Sequence, residues 1–181
     1  MRSALVAIFL SLAASGASVP SAAADTENGY VYQMGAGDRL KIVTYGEDKL
    51  TGEFAVNGEG VVSFPLVGDV PAKGRTVADF RADLIARLSR EYLRSPSVTV
   101  DVINFRPVFI LGEVAKPGEF PYAEHMTVYT LVAKAGGFTY RANRKTAFIR
   151  RENQPAETTH MLSGSTPVRP GDTIRIGERY F

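Results

Sequence analysis

Few side chains in this sequence have the type and spacing to do chemistry. His125 and His160 are the two histidines, and neither stands in an H-E-x-x-H or comparable arrangement, so both are expected to be structural or solvated. Four acids, Asp38, Asp69, Glu113 and Asp172, each follow a glycine. A carboxylate there can accept from nearby backbone N–H groups, so turn capping is the expected role, with a glycosidase pair assembled from distant carboxylates left open. Gly35-Ala36-Gly37 begins like a phosphate-cradling loop, but no Gly-Lys-Ser/Thr follows and a strand rather than a helix comes next. There is no G-x-S-x-G nucleophile elbow. With no cysteine, a thiol nucleophile, a disulfide framework, an iron–sulfur cluster, a thiolate zinc site and a lipidated cysteine all drop out. No residue set calls for a metal or a cofactor.

One charged stretch stands out. Thr139 to Arg151 carries five basic residues and no acid, and Tyr140, Arg141, Arg144 and Lys145 within it are candidate contacts for an anionic polymer or an acidic partner, against the plainer reading of a solvated strand pair. The whole chain is balanced, with 21 basic and 19 acidic residues among 181, which gives no support to nucleic-acid binding. The absence of Trp disfavours a tight sugar-stacking site, since indole offers the largest amphipathic ring.

Residues 1–24 read as a cleavable export signal: Arg2 gives the positive start, Ala4 to Ala14 the apolar run and Ala22-Ala23-Ala24 the cleavage site. That run makes a helix of roughly 16 Å, against about 30 Å of bilayer hydrocarbon. The mature chain is therefore expected in the periplasm or outside the cell.

The elements that must position these residues follow from pattern. Arg39 to Tyr45 alternates as a strand, and Asn57-Gly58 predicts a type I′ hairpin joining Glu53–Val56 to Gly60–Phe64, followed by a turn-rich connection from Pro65 to Pro71. Thr76 to Leu93 is the strongest helix, with Val77, Phe80, Leu84, Ile85, Leu88 and Tyr92 on one stripe, Thr76 at the N-cap and an Asp83–Arg87 pair. Val98 to Phe105 is a strand. Beyond Arg106-Pro107 the same grammar recurs: a strand at Val108–Leu111, a turn region from Gly112 to Gly118, a helix at Thr127–Ala135 stopped by Gly136-Gly137, strands at Thr146–Arg150 and Thr158–Leu162, and a last strand ending at Ile176. The fold class is α+β, in two small mixed domains covering residues 25–105 and 106–181. Two internal echoes support the division: Gly37-Asp38-Arg39-Leu40-Lys41-Ile42 with Gly171-Asp172-Thr173-Ile174-Arg175-Ile176, and Gly68-Asp69-Val70 with Gly112-Glu113-Val114.

The ordered series Tyr32-x-Met34-Gly35-x-Gly37-Asp38-x-Leu40-x-Ile42, Val56-x-Gly58-x-Gly60-x-Val62-x-Phe64-Pro65-Leu66-x-Gly68-x-Val70, Gly74-x-Thr76 and Ser95-Pro96-x-Val98-x-Val100 resembles the polysaccharide export domain of Wza-type export proteins. Val108-x-Ile110-x-Gly112-Glu113-Val114-x-x-Pro117-Gly118 through Ala135-Gly136-Gly137 resembles the β-grasp soluble-ligand-binding (SLBB) domain of the same family. The resemblance implies a non-catalytic periplasmic component of a capsular or exopolysaccharide export channel, associated with the outer membrane and acting as a homo-oligomeric ring around its polysaccharide cargo. An inner-membrane polysaccharide co-polymerase is the implied partner. Larger members add a lipidated cysteine and a C-terminal membrane helix; neither is found here, so a separate outer-membrane protein is also implied. The family-motif turns carried over are Gly35, Gly37, Asp38, Gly58, Pro65, Gly68, Gly74, Gly112, Glu113, Pro117, Gly118, Gly136 and Gly137. A monomeric sugar-binding adaptor and, further off, a glycan hydrolase are the alternatives.

Overall fold

The computed structural model describes residues 30–179, so the expected export signal over residues 1–24 and the last two residues lie outside the described part. From Tyr32 onward the chain packs as one compact unit around two apolar cores.

The first core lies under a three-stranded antiparallel sheet of order β2-β1-β5, formed by β1 (Arg39–Thr44), β2 (Gly52–Ala55) and β5 (Val98–Asn104). Alternation sends Leu40 and Ile42 inward, opposite Val102 and Val100 of β5, while Arg39 and Lys41 stay in water. Helix α1 (Val77–Glu91) buries Phe80, Leu84 and Leu88 completely in that core. Its start is fixed by Thr76, whose hydroxyl oxygen accepts from Asp79 N–H at 3.1 Å and whose O–H donates to the Asp79 carboxylate at 2.7 Å. The expected Asp83–Arg87 pair forms at 3.3 Å.

The expected hairpin across Asn57-Gly58 does not form. β3 (Val61–Phe64) pairs instead with β4 (Gly68–Pro71), the segment read from sequence as a connection, and β2 pairs with β1. Asn57 is not a central residue with positive φ; its side-chain carbonyl accepts from Glu59 and Val61 N–H, and the left-handed position falls at Gly60 (φ 83°). The chain thereby turns a corner between two sheets rather than folding back on one. The β3–β4 turn is made by Pro65-Leu66-Val67, with Leu66 itself left-handed (φ 71°), which turn statistics do not favour for leucine.

The second core lies under a five-stranded mixed sheet of order β7-β6-β10-β8-β9, from β6 (Val108–Gly112), β7 (Gly118–Phe120), β8 (Thr146–Arg150), β9 (Thr158–Met161) and β10 (Thr173–Ile176). β10 enters the middle, parallel to β6 and antiparallel to β8. Val108, Ile110, Ala147, Ile149, Ile174 and Ile176 point to one face and meet Val128, Leu131 and Val132 of helix α2 (Val128–Lys134). Thr127 caps α2 in a reciprocal box with Thr130, and Gly136 and Gly137, both left-handed, end it with N–H bonds to Ala133 and Val132 carbonyls. One helix gripped by a mixed sheet is the α+β architecture expected from the sequence.

Candidate functional site

The buried carboxylates Asp38 and Asp172 occupy matching turns, so the first sequence echo is a structural one. In each, the Asp accepts from the N–H three residues before it: Gly35 to Asp38 Oδ2 at 2.6 Å, Arg169 to Asp172 Oδ2 at 2.7 Å. Each then launches a strand whose apolar residues, Leu40 and Ile42 or Ile174 and Ile176, are fully buried. Capping is thus borne out for these two acids. It is not the role of Asp69, which accepts from the Ser63 hydroxyl at 2.6 Å within the β3–β4 ladder, or of Glu113, which accepts from the Thr139 hydroxyl.

Arg106 lies between the two turns. Its backbone N–H donates to Asp38 Oδ1 at 2.7 Å, its Nη1 to Asp38 Oδ2 at 2.8 Å, and its Nε to Glu152 Oε2 at 2.6 Å. Tyr32 donates its hydroxyl to Asp38 as well. Burial works against the Arg106 charge, but the Asp38 and Glu152 carboxylates more than offset it and hold the guanidinium above its ordinary pKa. The guanidinium leaves no space beside it: a Cβ on Gly35 would stand 2.6 Å from Arg106 Cζ, and one on Gly171 would stand 2.9 Å from its Nε. Asp172 in turn pairs with Arg151, yet its burial outweighs that pairing and keeps its pKa above the ordinary value. Beside this charged junction the rings of Tyr32, Phe105 and Tyr122 stack edge-on at 5.1 and 5.3 Å. Tyr32 packs on the first core and Tyr122 on the second, so the line of rings joins the two.

Asp38 and Asp172 are buried and engaged with arginines and backbone N–H groups. Among the described residues no cluster of His, Asp and Glu is arranged to hold a metal ion. His125 is exposed at a left-handed turn position. His160, on β9, bonds Thr158 Oγ1 at 2.9 Å, and burial followed by the nearby Arg151 and Arg169 charges pushes its pKa down. Among the described residues no helix is long and apolar enough to cross a membrane.

The motif glycines divide by role. Gly37, Gly68, Gly74, Gly112, Gly136 and Gly137 are left-handed, whereas Gly58 is not, its expected part being taken by Gly60. Gly112 also allows β6 and β10 to meet, since a Cβ there would run into the Ile176 carbonyl. Pro65 precedes the left-handed Leu66, and Pro117 and Gly118 lead into β7.

The four candidate contact residues are brought into one loop but not into one role. Arg141 is taken up by Glu178 at 2.6 Å, while Tyr140, Arg144 and Lys145 are exposed. Arg144 lies 5.9 Å from the centroid of Phe138, and Tyr129 of α2 meets the same ring edge-on at 6.1 Å. Tyr129 and Phe138 were not singled out from sequence. The signal is tertiary: the first turn of α2 must lie beside the loop.

The family model described as polysaccharide biosynthesis/export protein matches residues 26–103, and the SLBB domain model matches residues 107–162. The chain is 34% identical over 157 residues to an exopolysaccharide production protein, ExoF, of Rhizobium meliloti (strain 1021), covering 80% of this chain and 35% of that one. It is 22% identical over 158 residues to a polysialic acid transport protein, KpsD, of Escherichia coli, covering 82% of this chain and 28% of that one. The chain thus spans about a third of the length of these curated relatives. With the two glycine-cornered cores meeting at Arg106, this domain order shows a polysaccharide biosynthesis/export domain followed by an SLBB domain, in a chain homologous to the ExoF and KpsD proteins.

Proposed function

We propose that this chain is a non-catalytic component of a capsular or exopolysaccharide export channel, placed in the periplasm by its N-terminal signal and assembling as a ring through which the polymer passes. The two domains are assigned to residues 25–105 and 106–181. Its partners are further copies of itself, an inner-membrane polysaccharide co-polymerase and a separate protein in the outer membrane.

The observation that carries this reading is the junction at Arg106. A closed ring needs the same heterologous contact repeated by a fixed rotation, so each protomer must hold its own parts at a constant angle. Two charge-assisted bonds from one buried guanidinium, a third from the Arg106 backbone N–H to the Asp38 carboxylate, and a line of three rings beside them support that rigidity. The domain order, and the similarity to an exopolysaccharide production protein and a polysialic acid transport protein, support the cargo class.

A deletion strain tests it. Surface polysaccharide should disappear while cytoplasmic precursors persist, and full-length chain restored from a plasmid should bring it back. Unchanged surface polymer in the deletion strain would sink the proposal, and release of new reducing ends by the purified protein would replace it with a hydrolase. Saturable micromolar binding of the polymer by a strictly monomeric protein would favour an adaptor.

A further inference from the structure

The loop from Phe138 to Lys145 displays charge that the fold does not consume. Arg141 is neutralised by Glu178, but Arg144 stands exposed over the Phe138 ring, which the half-exposed Tyr129 meets edge-on, and the neighbouring Lys145 and Tyr140 are exposed, Tyr140 at 81%.

The loop is held in shape. Asn143 N–H donates to the Gly177 carbonyl at 2.8 Å, and its side-chain carbonyl accepts from Lys145 N–H at 2.8 Å and Thr146 N–H at 3.3 Å. Ala142 is buried and bridged to Glu178, and Thr139 N–H bonds the Glu113 carbonyl at 3.2 Å. The cations therefore project from a pinned backbone, so little ordering entropy is lost when a ligand arrives.

We propose that Tyr129, Phe138, Tyr140, Arg144 and Lys145 form a low-affinity landing surface for an acidic polysaccharide, one bearing carboxylates on its sugar rings. This rests on the export reading and names the charge class of its cargo. A tyrosine face accepts the C–H side of a pyranose, a guanidinium takes a carboxylate through two parallel N–H bonds, and the lysine adds a point charge. Exposed cations in water bind weakly one at a time, and the repeat of a polymer along copies of the chain turns weak contacts into retention without a grip that would stall it.

The test is electrophoresis of the full-length protein through native gels containing polygalacturonate, dextran or poly-glutamate. Polygalacturonate should retard the wild type and dextran should not. The double variant Arg144→Gln/Lys145→Gln should lose at least two-thirds of that retardation, whereas Arg90→Gln/Arg94→Gln, which removes the same charge from the end of α1, should keep it. Tyr140→Ala, at unchanged net charge, should weaken the polygalacturonate effect about twofold and leave poly-glutamate unaffected. Thermal melts matching wild type show that each variant is folded. Equal loss in the two charge variants, equal retardation by dextran, or a Tyr140→Ala protein that behaves as wild type would overturn the proposal. A null gel with a deletion strain that still loses its surface polymer removes this surface and leaves the export reading standing.

Discussion

Arg106 keeps a full charge with its side chain only 10% exposed, because two carboxylates and the Gln33 carbonyl take the place of water around its guanidinium. Removing one partner of such a set leaves the other charge buried and alone, a loss of about 3 kcal/mol or more. Arg106→Met is therefore expected to lower the urea midpoint by that equivalent, through Asp38 rather than through lost volume. Gly35→Ala is expected to cost roughly 1–3 kcal/mol in the same assay, since its methyl must push the guanidinium aside. His160 gives a pH signature. Its folded pKa lies below the unfolded one, so its contribution to stability is present above about pH 6.5 and is lost as pH falls through the folded value. An NMR titration should find its midpoint below 6.5, and His160→Gln should flatten part of the acid-side decline in stability. The buried Asp172 works the other way: its raised pKa means that stability from this group falls as pH rises from the unfolded to the folded value.

At the level of elements, α1 shows what sequence can and cannot specify. Its stripe and its Thr76 cap are local signals: Phe80, Leu84 and Leu88 are buried as read and Val77 and Ile85 pack partly against the core, whereas Tyr92, read onto the same stripe, is 44% exposed at the C-cap. Thr76→Ala should cost about 1 kcal/mol, measured by thermal or urea unfolding, since it orphans the Asp79 N–H. The strand partners were less legible. Asn57-Gly58 reads as a hairpin because turn residues report only the local bend, whereas the choice between pairing β2 with β3 or with β1 is made by the first core, where Leu40 and Phe54 sit in register. β7, at three residues, is too short to leave a period, and it exists because β6 offers it an edge. The surface around Phe138 and Arg144 was legible only in its cations, because Tyr129 joins it through the packing of α2.

For the whole molecule, the two cores are joined by the polar contacts of Arg106 and the ring contacts of Phe105, which predicts that they melt together while those links last. A single calorimetric transition is expected for the wild-type chain, and Arg106→Met should split or broaden it, the first half losing cooperativity with the second. A variant that melts at lower temperature but with an unsplit peak would show that the ring stack alone couples them. The family-level reading came from the order of motifs along the chain, which is why it was visible without any coordinates. The site-level reading was not, because Glu152 and Arg106 are 46 positions apart and nothing in their spacing marks them as partners.

The last strand is the middle one. Until Thr173–Ile176 arrives, β6 with β7 and β8 with β9 are two separate ribbons, each with an unpaired edge facing the slot that β10 will fill. A chain that emerges N-terminus first can complete its first core while its second is still open, so for that interval the half-built sheet is a surface on which a chaperone could act and a neighbouring nascent chain could intrude.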